Sequence, residues 1–204
     1  VDKILKQNLE FSQWLFNECN THRTNLQYAS SSSVYGNTKD FSEYAPCNPQ
    51  TAYAWSKYLF DRWVFQQPVN IYVQGFRYFN VYGYNDGPGH FIPDQVEKMN
   101  RGIFEIIGGD ETRSFCHVED AIGASIYCAE HASNILVNIG NDEEIKITDA
   151  ADLIAKELGY SPTWTKILGR SGSTKTRKPD ISTLRGIMPH YNPRSFTDGI
   201  KQIS

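Results

Sequence analysis

Between Ile4 and Gly83 the chain alternates helical and extended patterns of apolar residues, and that alternation narrows the choice of fold more than any other feature. Ile4, Leu5, Leu9, Trp14, Leu15 and Phe16 recur at helical spacing and predict a helix running to about Cys19. A polar stretch then leads into a short extended run, residues 26–30. A serine cluster, Gly36 and a polar loop broken by Pro46 and Pro49 precede a second predicted helix, residues 53–65, which Pro68 stops. The β-prone run IYVQGFRYFNVYG, residues 71–83, reads as one buried strand emptying into the glycine-rich loop NDGPGH. Helix, strand, helix, strand in this order predict a parallel sheet with crossover helices, a fold that binds ligands at the carboxyl ends of its strands. Further strands are expected at residues 103–107, 115–118 and 135–140. Helices are expected at 93–101, 119–131, 148–158 and 181–187, with another starting near Ser195.

Charge and composition exclude several classes of function. Twenty basic residues against 23 acidic ones, with no block of either sign, leave no electrostatic footprint for nucleic acid or an anionic membrane surface, so the expected partner is a small molecule. Cys19, Cys47, Cys116 and Cys128 form no CxxC pair, and no His stands at zinc-finger spacing, so neither a metal site nor a disulfide framework is expected. No apolar run approaches the roughly 20 residues that span a bilayer, and the opening VDKILKQ does not resemble a signal peptide. A reducing cytoplasm is the expected location.

Candidate chemistry centres on YAWSK, Tyr53 to Lys57, inside the second predicted helix. Residues four apart share a helix face, so the Lys57 ammonium is expected beside the Tyr53 phenol. A neighbouring cation favours the phenolate, which is what a tyrosine needs to act as a general base. Tyr35 and Lys39 repeat the spacing, but they bracket Gly36 and Asn37 in a predicted loop, where no helix holds the two side chains together. Some twenty residues before Tyr53, the run YASSSSVYG follows the first predicted strand and places hydroxyls at a strand end.

YASSSSVYG, YAWSK and GFRYFNVYG, in that order and spacing, resemble the signature of extended short-chain dehydrogenases that act on nucleotide sugars, the NAD-dependent epimerase/dehydratase family. TRSFCHVEDA, VNIG and the KPDIS segment echo later blocks of the same family, so the resemblance covers essentially the whole chain. It implies an α/β fold, a partial Rossmann-type doubly wound parallel sheet with a smaller C-terminal α/β substrate-binding region. The implied division is residues 1–83 for the remainder of the dinucleotide domain, 84–112 for a substrate segment, 113–140 for the return to the first domain and 141–204 for the C-terminal substrate region.

The resemblance also implies roles. Ser31 is similar to the family's catalytic Ser/Thr, Tyr53 to its base, and Lys57 to the residue that also holds the nicotinamide ribose. Tyr78 and Phe79 fall where the family packs against the nicotinamide, and Asn8 near an asparagine that approaches the cofactor, NAD or NADP. Ser32 and Asn80 fall at substrate-contacting places, and Arg113 resembles the arginine that grips the nucleotide diphosphate, with Arg170 as a second. The family's dehydratases and decarboxylases carry an acid beside the catalytic hydroxyl, where Ser32 and Ser33 stand here, so epimerisation through a transient keto sugar is the implied reaction. Its substrate is a nucleotide-diphosphate sugar, and members often pair as homodimers through the tyrosine helix, where Tyr58, Leu59, Trp63 and Val64 suit either a dimer or core packing.

Departures from the pattern are equally specific. The GxGxxG loop and its acidic partner do not occur between Val1 and Ser204, so the sequence is expected to represent the C-terminal two-thirds of an enzyme and to bind the cofactor poorly by itself. Ser114 and Ser173 stand where the family has Asp. The chain is similar both to UDP-glucose 4-epimerases and to ADP-heptose 6-epimerases. The latter use a Lys in the loop after FNVYG, where His90 is here the sole titratable base, and this favours a 4-epimerase of the UDP-glucose type. A non-catalytic sugar-nucleotide binding module on the same fold is the alternative from another class.

Overall fold

A computed structural model describes residues 2–168 and 175–202. Its centre is a parallel sheet of three strands in the order β1 (Leu26–Ser31), β2 (Val73–Tyr78), β7 (Ile135–Ile139). Helix α1 (Asp2–Thr21) and helix α2 (Ala52–Val64) pack on one another and on β1. Phe16, Phe60, Val64 and Val73 close the core between them, with Trp63 edge-on to Phe16 at 5.1 Å. On the far side of the sheet, α4 (Val118–His131) and α6 (Ser182–Ile187) bury Ala124, Cys128 and Leu184 against Phe76 and Val137. Helices on both faces of a parallel sheet are the doubly wound arrangement expected from the alternation of patterns.

The remaining elements build a smaller α/β region. It comprises β3 (Val81–Tyr82), α3 (Phe91–Asn100), β4 (Glu105–Ile107), β5 (Thr112–Arg113), β6 (Cys116–His117), β8 (Ile145–Lys146), α5 (Ile147–Glu157), β9 (Thr165–Ile167), β10 (Thr176–Arg177) and α7 (Phe196–Ile200). Met99, Ile106, Phe115, Ile154 and Phe196 form its core. Five of these strands are only two residues long, and they pair as β3 with β6, β4 with β9, and β10 with β5 with β8.

The run 71–83, expected as one strand, is two. Asn80 takes a left-handed φ of 33°, which breaks the extended conformation. Beyond it β3 leaves β7 and pairs with β6 instead. Its side-chain amide donates to the Ser114 carbonyl at 2.8 Å, a local partner that offsets the unfavourable backbone. Two glycines permit close approaches nearby. A Cβ at Gly75 in β2 would overlap the Tyr28 phenol, and Gly36, at φ 61°, lies against the Asn48 carbonyl where no side chain fits.

His117 joins the two regions and caps α4, its Nδ1 accepting from the Glu119 amide at 3.3 Å. Burial first, and Arg194 second, push this imidazole below its ordinary range. The unfolded chain keeps a pKa of about 6.5, so on acidification it takes up a proton that the folded state resists. Stability contributed by neutral His117 is therefore present above that range and is lost as pH falls through it. Scanning calorimetry at about pH 7 and about pH 5 is expected to show a smaller drop in Tm for His117→Asn, which keeps a capping acceptor without the titration. Equal drops in the two proteins would contradict this.

Candidate active site

Ser31 ends β1 at the level of Tyr78 on β2, so both side chains emerge at the carboxyl edge of the sheet. Ser31 Oγ accepts from the Ser33 amide at 3.2 Å and the Ser33 hydroxyl at 2.9 Å, which leaves its own O–H to donate outward. Those bonds start a short 3-10 turn over Ser32–Tyr35. Across the gap, Thr51 caps α2 by accepting from the Ala54 amide at 3.1 Å, and this fixes Tyr53 in the first turn.

Lys57, one turn on, sits with its Nζ 5.7 Å from the centre of the Tyr53 ring and donates to the Ala29 carbonyl at 2.8 Å. Burial lowers the Lys57 pKa, and Asp61 opposes that shift. The helix thus holds the ammonium between the phenol and the end of β1, as the spacing of YAWSK predicts. The other Tyr/Lys pair separates as expected, with Tyr35 fully buried and Lys39 exposed.

Ser31, Ser32, Tyr53, Tyr78, Asn80 and Arg177 line one cleft of about 520 Å³, a volume suited to a small organic ligand. Asp86 and His90 line it too, with His90 Nδ1 2.7 Å from Asp86 Oδ1. A larger depression of about 780 Å³ lies elsewhere, beside Asp40, Asp142 and Arg185. It holds neither Tyr53 nor any serine of the cluster at residues 30–33, and its Arg185 is already paired with Asp142 at 2.7 Å.

Several expected residues are placed otherwise. Phe79 is fully buried among Val34, Tyr35, Phe41 and Ala45 and does not line the cleft, because the Asn80 break turns it under the serine turn. Asn8 donates to Ser56 Oγ at 3.1 Å, and Ser56 donates to the Tyr53 carbonyl at 2.7 Å, so Asn8 braces α1 against α2. Arg113 donates to the Thr112 carbonyl at 2.7 Å and does not line the cleft, although its cross-strand neighbour Arg177 does. Arg170 and Ser173 lie outside the described residues. Ser114 is fully buried and donates to the Asn141 carbonyl, so it acts as a strut. Val64 and Trp63 are used in the core with α1.

The family model described as "NAD dependent epimerase/dehydratase family" matches residues 2–140. The chain belongs to that family. Among solved structures, it is similar to UDP-glucuronic acid 4-epimerase from Bacillus cereus in complex with UDP-glucuronic acid and NAD, at 27% identity and a TM-score of 0.86, over 96% of this chain and 65% of that one. UDP-N-acetylglucosamine 4-epimerase from Methanobrevibacter ruminantium M1 is similar at 26% identity and 0.86, over 96% and 66%. UDP-glucose 4-epimerase from Thermotoga maritima shares the fold at 23% identity and 0.88, over 97% and 68%. The chain therefore spans about two thirds of the length of these proteins.

The cofactor of this family is NAD, and the donor set fits its nicotinamide ribose. Lys57 spends one of three donors on the Ala29 carbonyl, and Tyr53 is 44% exposed beside it. Among the described residues no metal-binding cluster occurs, and no helix is long and apolar enough to cross a membrane. Sequence reasoning missed Arg177 and the Asp86–His90 contact. Arg177 lies in a two-residue strand with no periodicity to announce it. The contact was partly legible in the i,i+4 spacing of Asp86 and His90.

Proposed function

We propose that this chain carries the catalytic and sugar-nucleotide parts of an NAD-dependent nucleotide-sugar epimerase, most similar in chemistry to UDP-glucose 4-epimerase. The reading rests on one observation: Tyr53 and Ser31 line the same cleft while Lys57 Nζ stands 5.7 Å from the Tyr53 ring. Lys57 stabilises the Tyr53 phenolate, which accepts the proton of a sugar hydroxyl. Ser31 donates a hydrogen bond to the same oxygen. NAD, if held at its nicotinamide end beside Tyr53 and Lys57, would supply the hydride acceptor and donor for the sugar carbon. Tyr53 then gives the proton back to the oxygen of the inverted centre, so the net reaction is an isomerisation. Tyr53, Lys57 and Tyr78 hold the nicotinamide end, and Ser32 and Asn80 contact the sugar. Arg113, with Arg170, contacts the diphosphate.

The reading is tested by incubating the full-length protein with NAD and UDP-glucose, and separately with ADP-heptose, and resolving the products by NMR. Formation of UDP-galactose is the expected result, and turnover of ADP-heptose alone would replace this reading with that of a heptose 6-epimerase. The heptose reaction calls for a second acid/base in the loop after β3, where among the described residues His90 with Asp86 is the available pair.

A further inference from the structure

One titratable pair in the cleft takes no part in the proton transfer through Tyr53. Asp86 and His90 line the cleft together with Ser31 and Tyr53, and Asp86 is the sole carboxylate among its described lining residues. The loop after β3 brings the two side chains together. Asp86 closes a turn, its amide donating to the Gly83 carbonyl at 3.3 Å, and His90 immediately precedes α3. At that helix end Asp94 Oδ1 accepts from the Gly89 amide at 2.8 Å while the imidazole makes no capping bond, so His90 is left to meet Asp86. The His90 side chain is 65% exposed and that of Asp86 only 17%.

Asp86 Oδ2 is buried without a hydrogen-bond partner, so among the described residues the imidazole is the single group bonded to this carboxylate's oxygens. A carboxylate with one partner keeps a negative potential at the cleft. It also sets the imidazole: with Nδ1–H donating to Oδ1, Nε2 carries the lone pair and accepts. The pair therefore offers a ligand an acceptor and a negative field. A sugar hydroxyl, which brings a donor, suits both, whereas a carboxylate brings only acceptors and a like charge.

We propose that Asp86 and His90 select a neutral sugar, His90 Nε2 accepting from a sugar hydroxyl and the Asp86 charge turning away a hexuronic acid. This rests on the epimerase reading above and names the class of sugar it acts on.

The test uses the full-length protein with NAD at about pH 8, where an ordinary imidazole is neutral. kcat/KM is measured for UDP-glucose and for UDP-glucuronic acid with wild type, Asp86→Asn and His90→Ala. Wild type is expected to favour UDP-glucose by about 10²-fold, since like-charge repulsion and a missing donor both count against the acid. Asp86→Asn keeps the shape of the side chain without its charge and is expected to shrink that preference by about 10-fold. His90→Ala, at an exposed position that makes little demand on folding, is expected to lower kcat/KM for UDP-glucose by about 5–10-fold and to change it little for the acid. A wild type that is as active on UDP-glucuronic acid as on UDP-glucose, or more so, overturns the proposal and leaves the epimerase reading standing. A preference left unchanged in both variants also overturns it, because a pair that merely holds the loop would lower both activities equally. If Asp86→Asn fails to fold, the wild-type preference and His90→Ala still decide. Inactivity of the wild type toward both sugars overturns the epimerase reading instead.

Discussion

Tyr53→Phe in the full-length protein is expected to lower kcat by about 10²–10⁴-fold, the usual contribution of a positioned acid/base. The substitution removes one oxygen from a ring that is 44% exposed and whose hydroxyl makes no bond within the described fold, so Tm should stay close to that of the wild type. Affinity for the nucleotide sugar should change little, because the phenolate acts chiefly on the transferring proton. Steady-state kinetics and a binding titration on the same preparation separate these effects. Full turnover by Tyr53→Phe would remove the catalytic assignment and support the alternative of a binding module on this fold.

Asp61→Ala is expected to cost about 3–5 kcal/mol of stability, because it strands a buried cation and two hydroxyls at once. Asp61 is 3% exposed and accepts from Ser30 Oγ at 2.9 Å, Tyr28 Oη at 3.0 Å and Arg77 Nε at 3.1 Å. Burial pushes its carboxyl up, and Arg77 first among its partners pulls it back. Arg77 also donates to Tyr35 Oη at 3.0 Å, and Tyr35 donates to Asn138 Oδ1 at 2.7 Å, so the network ties α2 to all three central strands. Urea denaturation should show a much smaller loss for the double replacement Asp61→Leu with Arg77→Met, which removes both charges together. A loss below about 1 kcal/mol in Asp61→Ala would mean that water or rearrangement satisfies Arg77. Because Asp61 grips Ser30, next to Ser31, and lies one turn from Lys57, the single variant should also lose activity beyond its loss of folded protein.

The phenol–ammonium pair was legible because its geometry is local. Tyr53 and Lys57 are one helical turn apart, and a helix places i and i+4 side by side whatever surrounds it. The central strands were legible for a similar reason, since dense β-branched and aromatic runs such as residues 71–78 can be satisfied only by burial. The burial of Phe79 away from the cleft was not legible, because its direction depends on the left-handed Asn80, whose side chain is held by the Ser114 carbonyl far along the chain. The pairing of Arg177 with Arg113 was beyond reading for the same cause. Their two-residue strands exist only through pairing with one another and with β8, and such pairing leaves no periodic mark in the sequence.

By itself, then, the chain's residue order determined the alternation of helix and strand, the family pattern and the phenol–ammonium pair, all of which follow from contacts within a turn or within a run of a few residues. Only the folded arrangement decided which arginine faces the cleft, that Asn8 serves as a brace, and that Asp61 and Arg77 lie beneath the end of β1. Those outcomes depend on which surfaces meet across tens of residues of chain, where packing and the need to pair every buried polar group override any local preference.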